Sequence, residues 1–159
     1  MQTRIRTLLL GVLVTATAAH ADDKAQHLAI VAHKNSSLSD VSSELLGKFF
    51  RAEKSKAPDG TKVVILMQDG GRPERDAALH AIFKMSEGEY NKYFLQATFT
   101  GAVAAAPKVL ANSRTVLKTI SETPGGLGYV KGDEADDSVK VLKIDGKSPG
   151  EAGYPLSLK

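Results

Sequence analysis

The sequence predicts one α/β domain, with a mixed, mostly parallel sheet of about four or five strands flanked by helices. Three observations carry that prediction. Val63–Met67 is an uninterrupted apolar run and reads as a strand buried on both faces. Asp69, Gly70 and Gly71 then break the chain into a tight turn, and from Pro73 the apolar period lengthens, with Ala78, Leu79, Ile82 and Phe83 on one helical face. Further short apolar runs at Leu28–Ala32, Leu127–Val130 and Val139–Ile144 supply the remaining core strands.

Ahead of these elements, residues 1–21 read as a secretory signal peptide. Arg4 and Arg6 form a basic start, Leu8–Ala18 an apolar stretch too short to span a bilayer, and Ala19-His20-Ala21 a small-x-small cleavage site. Cleavage is expected after Ala21, with export to the periplasm and a mature domain over residues 22–159. Losing Arg4 and Arg6 lowers the formal net charge from +3 to +1, which leaves no electrostatic case for nucleic acid. There is no cysteine, and His27, His33 and His80 show no ligand spacing, so no metal and no cofactor is expected.

Leu28–Ala32 opens the core, and Asn35, Ser36 and Ser37 follow as a polar loop. Ser39 is the expected N-cap of a helix through Val41, Leu45, Leu46 and Phe49, with Leu38 as its hydrophobic staple. Pro58-Asp59-Gly60 is a turn into the central strand. Ser86 and Glu89 have the form of a capping box, opening a helix whose Tyr90, Tyr93 and Phe94 read as core. After an alanine-rich loop at 102–106, Asn112 or Ser113 caps a helix through Val116, Leu117 and Ile120, which Thr123-Pro124-Gly125-Gly126 ends. The acidic segment Lys131–Ser138 lacks an EF-hand spacing and reads as a solvated turn.

The strand–turn–helix unit carries the main functional signal. Unpaired N–H groups in a helix's first turn, together with its dipole, favour an anion, and Arg72 and Arg75 stand at the same place. The competing reading is an ordinary turn in which Asp69 caps the helix and the arginines are solvated. Ser36 and Ser37 are similarly either hydroxyl donors beyond a core strand or simple turn formers. Gly146-Lys147-Ser148-Pro149-Gly150 matches the G-x-S-x-G nucleophile elbow, but no helix can follow Pro149-Gly150 and no histidine lies after Ser148. No other nucleophile or acid–base constellation stands out, so no enzyme is expected.

Taken in order, IVAHKNSSLSDVSSELLGKFF, PDGTKVVILMQDGG, RDAALHAIF, PGGLGYV and GKSPGEAGYPLSL resemble the phosphate-type substrate-binding proteins of ABC transporters. The closer likeness is to their short, single-lobe "PBP-like domain" relatives, and it runs from about Leu28 to Leu158. In full-length phosphate binders the central loop resembles R-x-D-G-S-G-T. Here Asp69 and Gly70 stand in register, Met67 takes the Arg place, and Gly71, Arg72 and Pro73 take the Ser, Gly and Thr places. The resemblance implies a periplasmic lobe of the type II binding-protein fold, binding phosphate or a similar oxyanion without catalysis. Its partner would be an ABC transporter membrane component or a sensor. The expected ligand-binding residues are Ser36, Ser37, Asp69, Gly70, Gly71, Arg72 and Arg75, with Thr100 and Gly125 on neighbouring loops. The alternative is a periplasmic protein-interaction module that has lost the anion, with a homodimer restoring a two-sided cleft.

Overall fold

A computed structural model describes residues 23–158; the expected signal peptide lies outside them. The strands are β1 (Leu28–Ala32), β2 (Asp40–Val41), β3 (Val64–Gln68), β4 (Lys108–Leu110), β5 (Gly126–Lys131), β6 (Lys140–Val141) and β7 (Lys143–Ile144). The helices are α1 (Ser43–Phe50), α2 (Pro73–Ala78, continued by a π-helical turn, Leu79–Phe83), α3 (Glu87–Phe99) and α4 (Ser113–Glu122). The main sheet runs β4-β3-β5-β1-β6, and β2 pairs with β7 in a separate small ribbon. In the main sheet β3 lies parallel to β4 and β5, whereas β1 is antiparallel to both β5 and β6. Four of its five strands therefore point one way and β1 points the other.

The period of two along β1 divides the core in two. Leu28, Ile30 and Ala32 face one hydrophobic layer with Phe49, Phe50, Phe83 and Tyr129, while Ala29 and Val31 face a second with Val116, Leu117 and Ile120 of α4. Nearly all aromatic packing lies in the first layer, where Phe83 meets Phe50 and Tyr90 edge to face at 5.6 and 5.2 Å. On the other side α4 comes so close that a Cβ at Gly128 would sit 3.2 Å from Ile120 and 3.3 Å from Val116, and it would also lie 2.8 Å from the Leu66 carbonyl oxygen of neighbouring β3.

The local signals place most elements. Ser86 accepts from the Glu89 N–H while Glu89 reaches back to the Ser86 N–H, a complete capping box. Asn112, rather than Ser113, caps α4 by accepting from the Thr115 N–H. Three expectations are corrected. The first helix begins at Ser43, capped by Ser42, because Asp40 and Val41 are drawn into parallel pairing with Lys143 and Ile144. The expected last strand, Val139–Ile144, is two strands in different sheets, separated by the fully buried Leu142. Val63, Val64 and Ile65 are only half-buried, because small side chains of the 102–106 loop, instead of a helix, lie over that end of β3.

Candidate functional site

The carboxyl end of β3 delivers the chain into Asp69–Arg72, all exposed, and then into α2 at Pro73. The Asp69 N–H donates to the Leu110 carbonyl and Arg72 Nε to the Ala111 carbonyl, each at 2.9 Å. These two bonds join the loop after β3 to the loop after β4, so α2 and α4 start from adjoining loops. Gly70 N–H donates to its neighbour's Asp69 Oδ1 at 2.9 Å. The N–H groups of Gly71 and Arg72, and those of Ser113 and Arg114 at the start of α4, have no acceptor among the described residues. Arg72 also keeps its two terminal nitrogens unengaged there. Unspent donors at two helix starts and on one guanidinium thus stand on adjoining loops, an arrangement that favours an anion.

Asp69 does not cap α2. Arg72 occupies the N-cap position with no side-chain cap bond, and Pro73 at the first helical position needs none for itself. Arg75 is neither solvated nor free for an anion, being 4% exposed. Its Nε and Nη2 grip Glu87 at 2.8 and 2.7 Å, its Nη1 donates to the Gln68 carbonyl at 3.0 Å, and its guanidinium lies 5.0 Å from the Tyr90 ring centre. The Arg75 guanidinium in turn holds the Glu87 carboxyl below the usual glutamate range.

Under the loop lies a polar node that sequence reasoning missed. Gln68 is fully buried; its Nε2 donates to Ser113 Oγ at 3.1 Å and to the Tyr129 carbonyl at 3.3 Å, and its N–H donates to the Tyr129 hydroxyl at 3.2 Å. Burial pushes that hydroxyl's pKa up, keeping it protonated. The only signal for the node was a glutamine closing an apolar run. Asn112 or Ser113 is expected as the cap of a helix, but nothing local in the sequence places that helix start beside the Asp69–Arg72 loop.

Ser36, Ser37 and Gly125 are brought together, but elsewhere. They line a cavity of about 190 Å³ with His33, Asp59 and Thr61. Because Ala32 pairs with Leu127 and Val64 with Gly126, this cavity lies at the opposite end of the sheet from Asp69. Thr100 caps the end of α3 and donates to the Gln96 carbonyl at 3.0 Å, so the structure does not bring it to the loop either. Among the described residues no group of His, Cys, Asp and Glu has the arrangement of a metal site.

Neither a family model nor a curated protein matches the chain. Solved structures do. One described as a phosphate ABC transporter substrate-binding protein with bound phosphate, from Clostridium perfringens, superposes with a TM-score of 0.64 at 16% identity, over 77% of this chain and 46% of its own. An ABC-type phosphate transport receptor from Vibrio cholerae gives 0.62 at 12% identity, over 77% and 48%. PstS from Borrelia burgdorferi gives 0.59 at 16%, over 77% and 49%. The chain spans just under half the length of these structures, and over that span it has the α/β fold of the phosphate-type substrate-binding proteins.

Proposed function

We propose that this is an exported, non-catalytic solute-binding domain for phosphate or a similar oxyanion, working with an ABC-type uptake or sensing system. The observation that carries the reading is the Asp69–Arg72 loop. It stands at the carboxyl end of a central strand, where open α/β sheets bind ligands, and its Gly71 and Arg72 N–H groups are unspent. Arg72 and the starts of α2 and α4 supply the positive field, and the Asp69 carboxylate accepts a hydrogen bond from the O–H of a protonated phosphate, which favours phosphate over sulfate. Among the described residues no helix is long and apolar enough to cross a membrane. A second reading, a protein-interaction module on the same fold, is favoured by Leu95 and Phe99, 75% and 91% exposed one turn apart on α3.

Thermal unfolding in phosphate, sulfate and chloride at matched ionic strength tests the proposal. A ligand held by the native state raises the melting temperature with its concentration, by about 2.7 kcal/mol of stability at 100 times Kd. A phosphate-specific rise that Arg72→Ala removes supports the anion site. Equal, shallow responses to all three salts overturn it in favour of the interaction module.

A further inference from the structure

The half-buried amino end of β3 floors a groove of about 520 Å³, a volume in the range of small-molecule sites. Phe49, Val63, Ile65 and Val103 make it apolar, and the 102–106 loop walls it with alanines. Its charged lining residues are Lys54, Lys62 and Lys108, with no carboxylate. None of the three ammonium groups has an acceptor or an ion pair among the described residues; Lys54 only lies 5.9 Å from the Phe49 ring centre. From Tyr90 to Ser121 the chain contains no Asp or Glu, so no acid of that segment offsets the lysines.

We propose that this groove binds a single-chain anionic amphiphile, a long-chain carboxylate, with its alkyl chain on Val63, Ile65 and the alanines of the 102–106 loop and its head among the lysines. Charge complementarity selects the sign of the head: three cations with no carboxylate partner around an apolar floor attract an anion and repel a cation. Main-chain bonding selects an alkyl chain over a peptide. β5 pairs along the floor from Val64, β4 joins from Leu66, and the Val63 and Val64 N–H groups already donate to the Ser55 and Gly125 carbonyls, so an extended peptide here would find few ladder partners and bury unsatisfied N–H and C=O groups. An alkyl chain has none to satisfy. This site is separate from the Asp69–Arg72 loop and does not depend on phosphate binding.

The test is calorimetric titration of the protein with laurate below its critical micelle concentration, against dodecyltrimethylammonium and dodecyl maltoside, which share the tail and change the head. Laurate is expected to saturate one site, at least about tenfold tighter than either comparison amphiphile. Ala104→Trp, which fills the groove from an exposed loop, removes laurate binding. Lys62→Glu with Lys108→Glu weakens it by about tenfold or more while the melting temperature holds, since both lysines are exposed. The proposal is overturned if laurate does not saturate, if the cationic amphiphile binds as tightly, or if Ala104→Trp binds laurate like the parent. It is equally overturned if sedimentation shows a dimer that Ala104→Trp dissociates, since a second copy then fills the groove.

Discussion

Arg75 and Glu87 form a two-pronged ion pair, 2.8 and 2.7 Å, that ties α2 to the start of α3, and Arg75 spends its remaining reach on the last carbonyl of β3. The residue that sequence reasoning offered as an anion contact is therefore a clamp on the strand from which the loop departs. Arg75 is buried and Glu87 is about half exposed, so the pair sits between the surface and buried limits. Removing the arginine leaves a buried carbonyl without its donor, while water can still reach the carboxylate.

Arg75→Ala is expected to cost about 2–3 kcal/mol, read as a fall of roughly 6–10 °C in melting temperature for a domain of this size. Arg75→Lys should restore less than half of the loss. One ammonium cannot hold both Glu87 oxygens and the Gln68 carbonyl, whereas the planar fork does so without strain. Near-complete rescue by lysine would show that charge alone matters there.

The same pair predicts a pH dependence. Arg75 hydrogen bonding lowers the folded pKa of Glu87 below its unfolded value. A depressed carboxylate pKa contributes stability that is present above the unfolded value, about 4.3 for glutamate, and is lost as pH falls through the folded value. Glu89 and Asp145 are lowered too, through bonds from Ser86 and Ser43, so stability should fall below about pH 4. The stability gap between the parent and Glu87→Gln should be largest near neutral pH and close at pH 3. A gap unchanged with pH would mean that the charge on Glu87 contributes nothing.

Ser86→Ala should cost about 1 kcal/mol, measured by urea unfolding, because it removes the acceptor for the Glu89 N–H at the start of α3. The variant should leave phosphate-dependent stabilisation unchanged, since α3 contributes nothing to the Asp69–Arg72 loop except through Arg75.

How far the sequence discloses this molecule depends on the range of the interaction. The Val63–Phe83 unit was legible because a change of period and two glycines lie within one short stretch, and the capping box at Ser86 is equally local. The start of α1 was misplaced because Asp40 and Val41 pair with Lys143 and Ile144, a contact that no local pattern announces. Ser36 and Ser37 do follow a core strand as expected, but β1 runs against its neighbours, which puts them at the far end of the sheet. Strand direction is set by the whole topology, so no residue near Ser36 could reveal it. The apolar run at 63–67 looked fully buried because composition reports what a strand can bury, not whether a helix arrives to cover it.

Two glycines of the expected site separate conformational need from steric need, and substituting each by alanine tests the assignment of both. Gly71 has φ +78°, with nothing within 4 Å of an added Cβ. Gly71→Ala should therefore cost only the left-handed backbone penalty, about 1–2 kcal/mol, and weaken phosphate-dependent stabilisation by tilting the N–H groups of the loop. Gly125 has φ +79°, and its Cβ would lie 2.1 Å from the Lys62 carbonyl oxygen, which belongs to the turn entering β3. There the backbone penalty and a collision with main chain act together, and Gly125→Ala should cost more than about 3 kcal/mol. Because Gly125 stands at the other end of the sheet, any phosphate response that survives in the folded fraction should keep its parental Kd. A weakened phosphate response in Gly125→Ala, with Gly71→Ala unchanged, would move the anion site to the Ser36–Ser37 cavity.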